Sequence, residues 1–152
     1  MNINATLSPD DLARACADAM WKEDDASKGL GMTILEIGPG RATLSMMVRP
    51  EMVNGQRIAH GGYIFTLADS TFAFACNTHN ERAVAAQCDI TFIRPGKLGD
   101  VLVATAREIS RSGRSGIYDV RVTSADVVIA EFRGHSRTIG DAWLPQINPT
   151  AK

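Results

Sequence analysis

One carboxylate stands in a run of otherwise uncharged, mostly apolar residues. The run 63–76 is predicted to be helical, and Asp69 is its single charged residue. Because apolar side chains lie nearly all round this helix, it should pack inside the protein, where an unpaired carboxylate is costly. Asp69 therefore needs a cation partner, such as Arg94 or Arg133, or a chemical task as an acid, base or nucleophile.

The expected start of the same helix is His60-Gly61-Gly62. Glycines at a helix start leave backbone N–H groups open to a ligand, at the positive end of the helix dipole. Such donors suit the oxyanion that forms when a carbonyl carbon is attacked. Most glycine pairs are only turns, but this pair shares a helix with Asp69, and the combination indicates acyl transfer.

The spacing of these two features constrains how they could act together. Asp69 follows Gly62 by seven residues, which is about 10 Å along a helix axis. A carbonyl held at the glycine turn is therefore out of reach of the carboxylate of the same chain, because attack needs a separation of about 3 Å. If both groups act on one carbonyl they come from two chains, so the sequence predicts a homo-oligomer with shared active sites.

Three further side chains near these features have two interpretations each. Asn54 is followed by Gly55, and it is either part of a turn or part of the site. His60 is either a cap of the turn or a catalytic base, and the cap is favoured. Cys76 lies on roughly the same helix face as Asp69, but no histidine is placed to activate it, which favours a core residue.

Composition narrows the classes of function. The chain has 152 residues, 45% hydrophobic and 22% charged, which is typical of one globular domain over 1–152. A formal net charge of −1 argues against nucleic acid or an anionic membrane as partner. No apolar leader or membrane span is evident, and three cysteines without a Cys-x-x-Cys pair fit a cytoplasmic location. The histidines have no second ligand at metal spacing, so no metal site is expected.

Turn signals and periodicity predict the elements that would position these residues. Ser8 and Pro9 begin a helix expected over about 9–28, and the central helix is expected over about 61–78. Residues from about 141 to 152 have the character of a disordered tail. This order predicts an α+β domain with its helices on one side of an antiparallel sheet. The strands are expected over 33–37, 41–48, 83–93, 100–110, 116–123 and 128–139.

The motifs and their order resemble one family, the hotdog-fold thioesterases of phenylacetate degradation. The resemblance covers about residues 30–140 and keeps the spacing of the motifs throughout. The His-Gly-Gly turn alone would not distinguish this family from other hotdog branches. The matching motifs are His60-Gly61-Gly62, Leu67-Ala68-Asp69, Asn77, Phe92-Ile93-Arg94-Pro95-Gly96, Gly116-Ile117-Tyr118-Asp119 and Phe132-Arg133-Gly134-His135-Ser136.

The resemblance implies a hotdog fold, in which a curved antiparallel sheet wraps a long central helix. It implies that two chains pair their sheets, often with two such dimers forming a homotetramer. It also implies hydrolysis of phenylacetyl-CoA or a ring-hydroxylated relative without a cofactor, coenzyme A being part of the substrate. By motif, Asp69 would be the nucleophile or general base, and the Gly62 amide would polarise the thioester carbonyl. Asn54 and His60 would shape that end of the site.

Coenzyme A carries several phosphate charges, which basic side chains should meet. The residues expected to do so lie in turns between strands, where solvated charges are the alternative interpretation. They are Arg94 and Lys97 with the intervening Pro95 and Gly96, and Arg111 and Arg114.

One position departs from the pattern of some relatives. Where they have a serine that helps to orient the attacking water, this sequence has Ala85. The choice between water activation and an anhydride intermediate therefore stays open. Two other functions also remain: a hotdog dehydratase or hydratase, in which His60 would be the base, and an acyl-CoA-binding module without catalysis.

Overall fold

The computed structural model describes residues 7–145, which begin with two helical segments. In α1 (Pro9–Glu23), the Ser8 hydroxyl accepts a hydrogen bond from the Asp11 N–H at 3.1 Å. The single helix expected over 9–28 is divided at Asp24, whose carboxylate caps α2 (Asp25–Gly29). The break was not expected because, in the sequence, Asp24 resembles any other acidic residue on a helix surface. In the structure its side chain binds a backbone N–H group and so ends one helix and caps the next.

The six strands form one antiparallel sheet in the order β1-β2-β4-β5-β6-β3. A 3-10 turn, Pro50–Met52, follows the second strand. Each strand lies within a few residues of its predicted position, and the expected α+β architecture is confirmed. The strands are β1 (Thr33–Gly38), β2 (Arg41–Met47), β3 (Ala83–Phe92), β4 (Val101–Ser112), β5 (Ser115–Ser124) and β6 (Val127–Thr138).

The central helix α3 (Gly61–Cys76) contacts all six strands and ends two residues before the predicted 78. Phe72 is fully buried at the centre of this packing, with its ring 5.7 Å from that of Tyr118 and 5.9 Å from that of Phe132. Gly134 admits this ring, because a Cβ on it would lie 2.8 Å from the ring carbons. Burying a side chain of this size contributes about 1.5–3 kcal/mol, so Phe72 fixes the helix on the sheet.

Only one face of α3 is covered by the sheet. The opposite face carries the partly exposed residues Thr66, Asp69 and Ala73, which share a stripe with Gly62 at three- and four-residue spacing. The expectation that the whole helix lies inside is therefore wrong for a single chain. Beside this open face runs β3, the last strand of the sheet, on which most side chains are exposed.

The C-terminal segment is anchored for as far as the structure describes it. The indole N–H of Trp143 donates to Oδ1 of Asn77 at 2.8 Å, and the Arg82 guanidinium lies 4.0 Å from the Trp143 ring centroid. The expected disordered tail is thus wrong for residues 141–144, while 146–152 lie outside the described residues. Nor does any helix within residues 7–145 have the length and apolar character to cross a membrane.

Candidate active site

Asp69 is half-buried and has no cation partner among residues 7–145. Arg94 donates to the carbonyl of Val128 at 3.1 Å, and Arg133 forms two hydrogen bonds with Asp119, the shorter at 2.6 Å. No Lys, Arg or His within residues 7–145 pairs with Asp69, so the structural ion pair is ruled out in this part of the chain. Burial raises the pKa of Asp69, and a contact with one thiol only partly offsets it.

That contact comes from Cys88 on β3. Its Sγ lies 3.9 Å from Oδ1 of Asp69 and is the hydrogen-bond donor. Burial and the neighbouring Asp69 raise the pKa of the Cys88 thiol to about 11, so it stays protonated near neutral pH. Sequence reasoning missed this residue, since nothing in the spacing of residues 69 and 88 shows that they meet across the helix–sheet interface.

The start of α3 is organised by His60. Its Nδ1 accepts a hydrogen bond from the Gly62 N–H at 2.9 Å, which confirms the cap predicted for this histidine. The Gly62 amide is therefore occupied. The N–H of Gly61 has no partner among the described residues. The donor open to a ligand lies one residue earlier than the resemblance implied.

Asn54 stabilises the loop that leads into this turn. Its Oδ1 accepts hydrogen bonds from the N–H groups of Gln56 at 3.0 Å and Ile58 at 3.4 Å. The His60 N–H then donates to the carbonyl of Met52 at 2.7 Å, which closes the loop. Asn54 thus performs the turn chemistry that was one of its two interpretations, and it does so beside the helix start.

Asp69 and the glycine turn remain apart within one chain. Because α3 is a regular helix over Gly61–Cys76, the rise of seven residue steps from Gly62 to Asp69 is about 10 Å. Both groups lie on the same uncovered face, but one carbonyl cannot reach both. Within a single chain, Asp69 and the glycine turn therefore cannot both act on one carbonyl.

The predicted phosphate-binding residues fall into two groups at opposite ends of the sheet. Arg94, Pro95 and Lys97 line a cleft near the start of α3, and the carbonyl of Gly96 accepts the Ala59 N–H at 2.8 Å. Arg111 and Arg114 lie at the β4–β5 hairpin, near the end of α3. The Arg114 guanidinium donates to the carbonyl of Thr138. Within a single chain, these residues therefore do not form one cluster.

A second polar cluster, which was not predicted from the sequence, lies near the β4–β5 hairpin. Oε1 of Glu108 accepts the Tyr118 hydroxyl at 2.8 Å and lies 3.0 Å from Nε2 of His79. Burial alone would raise the pKa of Glu108, but hydrogen bonds from Tyr118 and His79 bring it below its ordinary value. The cluster ties the end of α3 to β4 and β5 and stands apart from Asp69.

Comparison with known proteins identifies the family to which this architecture belongs. A family model described as the thioesterase superfamily matches residues 56–131. The chain is 42% identical over 125 residues to acyl-coenzyme A thioesterase PaaI of Escherichia coli K12, covering 82% of this chain and 89% of that protein. It is 30% identical over 133 residues to human acyl-coenzyme A thioesterase 13, covering 84% and 94% of the two chains.

Solved structures agree with these sequence matches. The structure of the E. coli PaaI protein from the phenylacetic acid degradation operon superposes with a TM-score of 0.87 at 40% identity, covering 89% of this chain and 99% of that one. The smu.793 protein of Streptococcus mutans, solved bound to acetyl CoA, gives a TM-score of 0.71 at 27% identity, over 73% and 90%. With its six-stranded sheet, its long helix and these matches, the chain belongs to the thioesterase superfamily and is a hotdog-fold thioester hydrolase.

Proposed function

We propose that this chain hydrolyses arylacetyl-CoA thioesters, phenylacetyl-CoA or a ring-hydroxylated relative, at active sites shared by two chains. One observation carries the proposal. In the part of the chain that the structure describes, Asp69 is a half-buried carboxylate with no cation partner. It lies on the uncovered face of a helix whose first residue, Gly61, has an N–H without a hydrogen-bond partner there. A carboxylate kept basic by burial and an amide donor at a helix start are the two groups that acyl transfer to water requires.

Two chemical routes are compatible with Asp69. As a general base, its carboxylate takes a proton from water while the water oxygen attacks the thioester carbonyl. As a nucleophile, a carboxylate oxygen attacks the carbonyl itself, and water then hydrolyses the mixed anhydride. In both routes the C–S bond breaks and coenzyme A leaves as a thiolate that takes up a proton. Because Ala85 has no hydroxyl, this chain offers no group at that position to orient the water.

In both routes the carbonyl oxygen becomes an oxyanion that needs a donor. The Gly61 N–H is the better candidate than the Gly62 N–H, because His60 already occupies the latter. Gly61 also lies at the positive end of the α3 dipole, which favours negative charge there. His60 then acts as the cap that holds the turn, and Asn54 holds the loop before it.

Edge strand β3 supports a specific way of pairing two chains. It is the terminal strand on one side of the sheet, with Phe92 50% exposed. Cys88 on β3 marks the level of Asp69, and Phe92 marks the level of Gly61, against which its ring packs. In an antiparallel pair of β3 strands, a two-fold axis near Ile90 would bring the partner's Phe92 level with Cys88. The partner's Gly61 would then lie beside Asp69.

The same pairing would also unite the two basic groups. Antiparallel strands place opposite ends of the two chains side by side. Arg111 and Arg114 of one chain would therefore lie at the same end of the dimer as the partner's Arg94 and Lys97. This arrangement would give a thioester bound near Asp69 cations from both chains for its phosphates. Association of two such dimers would give the tetramer that the resemblance implies.

Aromatic side chains near Asp69 support an aromatic acyl group. Phe65 lies one helical turn before Asp69, partly exposed, and its ring meets Phe132 edge-on at 5.4 Å between centroids. Tyr63, at the start of the helix, is also partly exposed. An aryl ring of the substrate could extend this edge-on packing. The PaaI protein of E. coli, similar in sequence and structure, comes from the phenylacetic acid degradation operon.

The test is release of coenzyme A from a panel of thioesters, measured with a thiol reagent. Phenylacetyl-CoA and a ring-hydroxylated analogue should give kcat/KM values at least tenfold above straight-chain esters of similar size. Light scattering should give a mass of two or four chains. Hydration of an enoyl-CoA without thiol release would instead identify a hydratase. Binding of the esters without turnover would identify a binding module, and either result would overturn the proposal.

A further inference from the structure

The thiol of Cys88 makes the one side-chain hydrogen bond to the Asp69 carboxylate within residues 7–145. On the basis of the function proposed above, we propose that Cys88 is a positioning residue for catalysis. Its S–H donates to Oδ1 and fixes the orientation of Asp69, while the second carboxylate oxygen stays available for the reaction. Cys88 itself forms no bond to the substrate.

Among the residues that the structure describes, the surroundings of Asp69 leave this role to Cys88. The titratable groups near the pair are the thiol of Cys76 on α3 and the carboxylate of Asp89 on β3. Neither of these two is a hydrogen-bond donor to Asp69, and the strands packed against α3 bring no cation to it within the described residues. Without Cys88, no side-chain donor within the described residues would orient the Asp69 carboxylate.

A thiol suits this position because it is a weak donor. A hydrogen bond to the charged form of a carboxyl group lowers its pKa, and a strong donor lowers it further. An arginine or a serine at position 88 would hold Asp69 but also make it a poorer base or nucleophile. The raised pKa of Cys88, about 11, keeps the proton on sulfur, so the contact persists across the pH range in which Asp69 is ionised.

Two substitutions separate positioning from packing. In Cys88→Ala the donor is lost, so kcat should fall about tenfold, the rate equivalent of one modest hydrogen bond. The acid limb of the pH–kcat profile should move to higher pH, because the charged form of Asp69 has lost a stabilising contact. In Cys88→Ser the donor is retained and strengthened, so kcat should lie above that of Cys88→Ala but below that of the parent, and the limb should move to lower pH.

The matched control is Cys16→Ala. Cys16 is buried on α1 and also places its Sγ 3.9 Å from an oxygen, Oδ1 of Asn80. The Cys16→Ala protein should be less stable than the parent, but the acid limb of its pH–kcat profile should not move. A Cys88→Ala enzyme with the limb and kcat of the parent would overturn the positioning role. So would a Cys88→Ser enzyme whose limb shifts in the same direction as that of Cys88→Ala.

A measurement without turnover keeps this inference separate from the proposed function. The carbon resonance of the Asp69 carboxyl, assigned by its loss in Asp69→Asn, reports the Asp69 pKa directly. The Asp69 pKa should rise in Cys88→Ala and fall in Cys88→Ser even if no thioester on the panel is cleaved. Unchanged titration in both variants would overturn the contact itself, whereas absent thiol release in the parent protein would overturn only the proposed function.

Discussion

The ring of Phe92 lies against Gly61 so closely that a Cβ on the glycine would come within 2.8 Å of Cζ. This contact joins the end of the edge strand β3 to the first residue of α3. It holds the strand that would pair with a second chain and the amide that would serve that chain's Asp69. In the proposed dimer, assembly and oxyanion binding would therefore be coupled through these two contacting residues.

Replacing Gly61 tests whether its amide is the oxyanion donor. Proline fits the first position of a helix, and the preceding His60 is already extended at ψ 131°. Gly61→Pro removes the N–H, and kcat should fall by about 10²–10³. Gly61→Ala is the matched control, because it adds the same Cβ against Phe92 but keeps the donor. Equal kcat values in the two folded variants would exclude Gly61 as the donor.

Hybrid dimers test whether the site is shared. Asp69→Ala and Gly61→Pro each disable one half of a site, so neither homodimer should turn over thioester. After subunit exchange, a hybrid dimer holds one site with both halves intact. A one-to-one mixture should therefore recover up to about a quarter of the parental activity per chain, since half of the dimers are hybrid. Exchange is verified with mass-labelled chains, and no recovery after proven exchange would place both halves in one chain.

The features that could be predicted from the sequence are those set by residues close together in the chain. Local patterns worked: the Ser8 cap, the alternation in the strands and the position of Asp69 all follow from neighbouring residues. Contacts set by the sheet order could not be predicted. The side chains that meet at the hairpin end do so because α3 ends beneath β4 and β5; they are His79, Glu108 and Tyr118. Cys88 contacts Asp69 because β3, the edge strand, runs beside the open face of α3. The open face of α3 was missed because an apolar helix has the same residue pattern whether the sheet or a second chain covers it.

The Glu108 cluster should contribute to stability and not to turnover. Tyr118→Phe removes the hydroxyl donor from a buried ring, so the free energy of unfolding should fall by about 1 kcal/mol with kcat unchanged. The pKa of Glu108 is lowered in the folded protein, so its contribution is present above its unfolded pKa and is lost as pH falls through the folded value. The stability difference between parent and variant, from urea unfolding, should therefore shrink below about pH 4. A loss of kcat in the folded variant would assign the cluster to the site.

Replacing Asp69 with asparagine is the strongest test of the proposed function. Asparagine is nearly isosteric, so packing and substrate binding should change little. It can neither attack a carbonyl nor take a proton from water, so kcat should fall by at least about 10² while KM changes little. The measurement requires folded, oligomeric protein, because loss of the shared site would also abolish turnover.

Stability gives the same variant a second, independent outcome. Burial raises the pKa of Asp69 in the folded chain, so its ionisation opposes folding at pH values above its unfolded pKa. Asp69→Asn should therefore match or exceed the Tm of the parent at pH 7, and this advantage should disappear as the pH falls and Asp69 is protonated in the parent. A carboxylate held in an ion pair would show the reverse, a lower Tm at pH 7. An oligomeric Asp69→Asn enzyme that keeps more than about a tenth of the parental kcat would show that the chemistry does not depend on this carboxylate.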